Sequence, residues 1–237
     1  VEITKAEYFS NISSYANHST TGNRVKAGLK LSLSAFSDQL FNGINLDELT
    51  LYLAGQPSQA LRLYEQLFGN LCGVVVQSAD SGNQWEERLD VSVVEPLGFE
   101  DTESLFPDDL RTFSGYRLIK EYFAFPNRFL FVKFAALKHA LSRCASNNVE
   151  IVLLFDRYDA ELENRVTADD FKLHCTPAIN LFPKRIDRVQ VSNKRSEFHI
   201  VPDRTRPIDF EIFSIFLNTI ECNYFECFQS FDAVLET

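Results

Sequence analysis

LKLSLSAF, residues 29–36, sets Leu29, Leu31, Leu33 and Ala35 on one side of an extended chain and Lys30, Ser32 and Ser34 on the other. Successive side chains of a strand point to opposite faces, so this alternation predicts a strand with one face in a core and one toward water. Downstream, LTLYLAG (49–55) reads as a second strand. Pro57 stands where a helix start tolerates proline, and SQALRLYEQLFGN (58–70) follows with Ala60, Leu61, Tyr64, Leu67 and Phe68 at the spacing of one helical face. Gly69-Asn70 ends that helix. LCGVVVQS (71–78) and RLDVSVVEP (88–96) are further strands around the turn-like SADSGNQ. Upstream, residues 11–23 are polar and turn-rich and read as loop.

Residues 96–114 lack regular periodicity and are acidic, with Glu100, Asp101, Glu103, Asp108 and Asp109 against Arg111. GYRLIKEYFAFP (115–126) then has helical spacing and stops at Pro126, since the residue before a proline avoids the α region. RFLFVKFA (128–135) reads as a strand, LKHALSRCAS (137–146) as a short helix, and VEIVLLFD (149–156), apolar on both faces, as a central strand. Residues 171–182, 187–192, 197–201 and 208–217 are the remaining strand candidates. The order strand, linker, strand, helix, strand of the first half recurs about one hundred residues later; a duplicated unit would write it, and so would coincidence.

These elements predict an α+β, β-dominated fold: two sandwich-like lobes of mostly antiparallel strands with a few short helices. The expected division is a polar lead-in over 1–27 belonging to a preceding region, a β-rich lobe over 28–98, and an acidic connector and helix over 99–126. A second β-rich lobe over 127–218 and the start of a following region over 219–237 complete it. The chain contains no methionine and begins at Val1, so it is expected to be an internal piece of a longer protein.

With 45% hydrophobic and 24% charged residues in 237, the chain is a globular sequence, not a disordered one. Its most apolar stretch, 208–220, is broken by Asp209, Glu211 and Asn218, short of the ~18 unbroken apolar residues a membrane helix needs. A net charge of −10 and a pI near 4.9 oppose sequence-independent nucleic-acid binding. Five cysteines, an odd number at irregular spacing, fit reduced thiols better than a disulfide framework. The pair Cys222 and Cys227 lacks a second knuckle, because His18, His139, His174 and His199 stand apart, so no zinc site is expected.

Chemistry is thinly represented. No nucleophile elbow, phosphate-binding loop, dinucleotide turn or zinc-protease helix is present. Asp156, Asp159, Glu161 and Glu163, interleaved with Arg157 and Arg165, offer carboxylates for calcium or acid–base work, but their mixed charges fit a solvated loop with local ion pairs. His174 and Cys175 are adjacent, and neighbouring residues on a strand point to opposite faces, so they do not make a nucleophile and base. From Lys184 to Arg206 seven basic residues stand against three acidic ones, a +4 segment on a remainder of −14. Lys184, Arg185, Arg188, Arg204 and Arg206 are therefore candidates for a partner interface, with local ion pairing the competing account.

PLGFEDTESLFPDDLRTFSGYRLIKEYFAFPNRFLFVKF (96–134) resembles the signature of the TssF family, also called VasA or ImpG, of the bacterial type VI secretion system. The family runs P-x-GF and then GYRLLQEYFAFPEKFLFF; here Ile119-Lys120 stands for leucine-glutamine and Asn127-Arg128 for glutamate-lysine. CTPAINLFPKR (175–185), VPDRTRP (201–207) and LTLYLAGQPSQALRLYEQLF (49–68) are similar to further family blocks, in order. The resemblance implies a non-enzymatic, cofactor-free subunit of the baseplate wedge, this chain being its central fragment. It implies partnership with TssG, TssK and TssE, with the VgrG spike hub and with a second TssF copy, in the bacterial cytoplasm at the inner face of the envelope. Sheath assembly would start from that platform. The block Tyr116, Tyr122, Phe123, Phe125, Pro126, Phe129 and Phe131 is then either a core helix and strand sealing the lobes or an interface anchor. The alternative function is a carbohydrate-binding or hydrolytic β-sandwich using the carboxylates near Asp156.

Overall fold

A computed structural model describes residues 1–36, 39–80, 84–106, 113–185, 189–190, 197, 200–219 and 226–234. The chain starts with strand β1 (Glu2–Phe9), antiparallel to β2 (Ala27–Ser34). After them come β3 (Leu49–Leu53), α1 (Pro57–Gly69), β4 (Leu71–Ser78), β5 (Glu86–Leu89), β6 (Val94–Pro96), α2 (Ser114–Ala124), β7 (Phe131–Phe134), α3 (Lys138–Leu141), β8 (Asn148–Phe155) and β9 (Phe171–Leu173). They form two antiparallel sheets, ordered β1-β2-β8-β4-β5 and β6-β7-β3-β9. One apolar cluster takes side chains from both sheets, from α1 and from α3, so the sheets share a core. The fold is α+β and β-dominated, as the patterning predicts.

The expected strand at 29–36 is there, and its odd-numbered leucines point into that core. Leu29, Leu31 and Leu33 lie opposite Leu153, Ile151 and Val149 of β8, and Val74 and Val76 of β4 flank β8 on its other side. Each such leucine contributes about 2 kcal/mol by leaving water. β8 is central, as its composition implies, and its second face is also buried. Val152 and Leu154 pack with Val25, Cys72 and Val75 under Phe9, Ile12 and Tyr15, which close over the outside of the sheet. Gly73 lets that covering segment lie flat, since a Cβ there would stand 2.6 Å from the His18 carbonyl oxygen.

The two expected lobes do not fold one apiece. Match β1-β2-β3-β4 to β6-β7-β8-β9 in chain order, and the first four positions of one sheet, β1-β2-β8-β4, become β6-β7-β3-β9, the whole of the other. Each half lends its third strand to the other's sheet: β8 sits between β2 and β4, and β3 between β7 and β9. The recurring pattern in the sequence thus corresponds to a repeated topology with one strand exchanged. That exchange explains why residues 28–98 and the part of 127–218 up to Thr176 belong to one compact unit, Val1–Thr176.

Other departures have local causes. The lead-in contains β1, whose alternation is broken by a bulge between Ile3 and Lys5, so Ile3 and the buried Ala6 and Tyr8 fall out of phase. RLDVSVVEP is two strands in different sheets, because the Asp90 side chain accepts from the Ser92 amide at 2.9 Å and winds residues 91–93 into a 3₁₀ turn. Pro96 ends the second of these, β6, at a sheet edge where its missing N–H costs nothing. Residues 126–130 are a 3₁₀ turn instead of strand. α1 spans the expected residues with its face rotated: Ala60, Leu63 and Leu67 are buried, while Leu61 is open.

The second unit, Pro177–Thr237, is described by itself. It holds β10 (Leu181–Arg185), β11 (Val189–Gln190), β12 (Glu211–Thr219) and β13 (Glu226–Val234), with β10, β11 and β12 each antiparallel to β13. The strand expected over 208–217 is β12. Because β13 pairs with β10, residues 226–234 join this unit and do not open a new one. Residues 197, 200 and 201 carry no strand, and 198–199 lie outside the described residues. Among the described residues no helix is long and apolar enough to cross a membrane.

Candidate protein-interaction surface

α2 is amphipathic and turned inside out. Arg117 and Glu121, one turn apart, face the protein, whereas Tyr116, Ile119, Tyr122 and Phe123 face solvent. Phe123 is 81% exposed and Tyr116 67%. Soluble helices normally do the reverse, because apolar side chains gain by leaving water and charges lose.

A buried polar network holds the helix this way round. The Glu121 carboxylate accepts from the Leu105 and Phe106 amides at 3.0 and 3.3 Å and from the Ser104 hydroxyl at 3.2 Å. It also pairs with Arg117 at 3.3 Å and with the buried Arg128. Arg117 reaches on to the Phe99 carbonyl at 3.1 Å and Asp101 at 3.0 Å, and Arg128 donates to the Glu103 carbonyl at 2.7 Å. Burial, with the neighbouring Arg117 charge, pushes the Arg128 guanidinium below its usual value. This demand on Arg128 is why residues 126–130 curl into a turn: an extended chain would carry its guanidinium past Glu121. Gly98, at φ +103°, makes the bend that lays Phe99 against Phe129.

The outward face of α2 meets α1 across an open groove of about 550 Å³. Leu61 and Tyr64 form one wall, Ile119, Tyr122 and Phe123 the other, and Phe129 part of the floor. The rings are joined: Phe99 and Phe129 centroids are 5.2 Å apart, Tyr122 and Phe129 6.1 Å, Phe113 and Tyr116 6.0 Å. Among the described residues none that lines the groove is charged.

The aromatic block therefore divides. Tyr116, Tyr122 and Phe123 are not core, Phe125 and Phe129 are half-buried, Pro126 is on the surface, and Phe131 is buried with its ring tilted against that of Tyr52, centroids 4.8 Å apart. Sequence reasoning missed Leu61, Phe99, Phe113 and Ile119 as exposed apolar residues. The signal present was the pair Arg117 and Glu121, charges on the face opposite to Ile119 and Phe123.

The described side chains of the other candidate sites are engaged internally. Lys184 pairs with Asp203 at 2.9 Å and lies 3.8 Å from the centroid of the Phe210 ring, and Arg206 pairs with Asp209. Hydrogen bonds from Thr205, followed by Lys184, hold the Asp203 carboxyl well below the usual carboxylate range. Arg188 lies outside the described residues, as does the side chain of Arg185; Arg204 stands exposed and is engaged. Near β8, Asp159 and Glu161 both pair with Arg62 of α1, Asp156 accepts from Asn23, and Glu163 accepts from Ser10 and Tyr158. These carboxylates are each held in local pairs, and the hydrolytic alternative finds no support. His174 and Cys175 lie past the end of β9; the imidazole contacts the Val1 carbonyl and the thiol the Leu173 carbonyl. Among the described residues no three His, Cys, Asp or Glu side chains gather closely enough to hold a metal. Cys222 lies outside the described residues.

Compared with known proteins, the chain matches a family model described as type VI secretion system, TssF, over residues 1–217. It is 45% identical over 216 residues to the type VI secretion system component TssF1 of Pseudomonas aeruginosa, covering 91% of this chain and 35% of that protein. It is similar in fold, with a TM-score of 0.62 and 24% identity, to a chain of the TssK-TssF-TssG baseplate subcomplex of the type VI secretion system. That match covers 90% of this chain and 38% of the other. The chain thus spans little more than a third of the length of either.

Proposed function

Because the chain belongs to the TssF family of the type VI secretion system, we propose that it is a structural, non-catalytic part of the baseplate, held there by protein–protein contacts. Its partners are TssG and TssK, the proteins that share the subcomplex with the similar chain, and further out TssE, the VgrG hub and a second TssF copy. It acts in the cytoplasm at the inner face of the envelope, where the sheath assembles. The free thiols of Cys72, Cys144 and Cys175 support a reducing compartment, with Cys72 and Cys144 pushed up by burial and so unreactive.

One observation carries this proposal: a helix that turns Arg117 and Glu121 into its own subunit and leaves its aromatic face open. The isolated subunit gains nothing from that arrangement, and an assembled one gains the burial. The full-length protein with Phe123→Asp tests it by co-purification with TssG and TssK. At an exposed position the substitution leaves the melting temperature unchanged and lowers recovery of the complex at least tenfold. Unchanged recovery would remove α2 as the contact.

A further inference from the structure

We infer that the groove between α1 and α2 receives the apolar face of an amphipathic helix from a different baseplate subunit, not from a second copy of this chain. This rests on the proposed baseplate role and specifies the occupant. Its walls are two helices, whose backbone amides and carbonyls are bonded within each helix, so an incoming strand finds no edge to extend. The buried face of the occupant is also uncharged, because the described residues that line the groove offer no charge to meet one.

Area points the same way. Leu61, Phe99, Phe113, Tyr116, Ile119, Tyr122 and Phe123 are each 44–81% exposed. At about 200 Å² per large side chain they leave roughly 800 Å² of open surface, above the ~300–600 Å² of the largest patch on a typical monomer and equal to one side of a standard interface.

The repeated topology supplies a control within the same molecule. The segment between β1 and β2 is the counterpart of the segment between β6 and β7 that carries α2. The first folds Ile12 and Tyr15 onto its own sheet. The second turns Arg117, Glu121 and Arg128 inward and leaves Tyr116, Ile119, Tyr122 and Phe123 outward, a face that a second helix covers with side chains spaced i, i+3 or i+4, and i+7.

The test is photo-crosslinking in the assembled complex, with a benzophenone amino acid replacing Phe123 or Ile119 of the full-length protein and, as control, the exposed Glu48. The expected result is cross-links from both groove positions to one helix of another baseplate subunit, at sites three or four residues apart, exceeding the control by tenfold or more. Cross-links to a strand, to an irregular segment or to a second copy of this chain would overturn the inference, as would yields no higher than the control. Co-purification of the complex is scored on the same samples. If the complex assembles with the cross-links elsewhere, the helical occupant fails while the baseplate role stands; if TssG and TssK do not co-purify with the unmodified protein, the role itself fails.

Discussion

Removing the Glu121 carboxylate is the sharpest perturbation of the account. Glu121→Ala leaves the buried Arg128 and Arg117 without their shared counter-charge and orphans the Leu105 and Phe106 amides, while the Ser104 hydroxyl keeps the Phe106 carbonyl at 2.6 Å. Breaking a buried ion pair from one side costs about 3–5 kcal/mol, because the remaining charge stays desolvated. At about 2–4 °C per kcal/mol for a chain of this size, the melting temperature falls by roughly 6–20 °C. The local readout is amide exchange at Leu105 and Phe106, which accelerates about a thousandfold for 4 kcal/mol. Replacing the pair together, Glu121→Leu with Arg128→Met, recovers part of the loss, since the buried Arg128 charge goes with its partner while Arg117 keeps Asp101. A loss below 1 kcal/mol for Glu121→Ala, or a double variant no better than the single, would refute the claim that this network sets the orientation of α2.

Three further outcomes follow from the same coordinates. Tyr8 is buried and its hydroxyl accepts from the Asp159 amide; burial raises its pKa from 10.0 to about 12, so the stability it confers is intact below pH 10 and is lost as pH rises toward 12. Urea titrations across that window show a loss of about 2–3 kcal/mol that Tyr8→Phe abolishes. Gly98→Ala forces a side chain into φ +103° with its Cβ 3.2 Å from the Phe129 ring, costing about 1–3 kcal/mol by denaturation. Lys184→Glu sets a like charge beside Asp203 and strips the cation from Phe210, so limited proteolysis within 200–210 accelerates; an unchanged cleavage rate would show that the pair has no local role.

Where the sequence was legible, side-chain period and burial coincide. At β2 the alternation and the core face agree residue by residue, and at β8 an unbroken apolar run meets a strand buried on both sides. β1 was hidden because the bulge after Ile3 resets its phase, and residues 88–96 misled because an Asp90 cap is indistinguishable by hydropathy from a polar strand position. In α1 both Leu61 and Leu63 fit a helical stripe, and only the position of the sheets chooses Leu63. The same ambiguity governs α2. Its two faces are plain in the sequence, yet hydrophobicity alone turns Tyr116 and Phe123 inward; what turns them outward is the meeting of Glu121 with Arg128 and the 104–106 backbone. The exchange of β3 and β8 between sheets leaves no local trace, so the halves read as separate lobes.

The most direct measurement is the rate of thiol alkylation at Phe123→Cys, localised by mass spectrometry, in the free full-length protein and in the purified complex with TssG and TssK. An open face that assembly covers labels quickly in the free protein and at least tenfold more slowly in the complex. Equal rates would contradict the account, placing the aromatic face of α2 outside the contacts made with TssG and TssK.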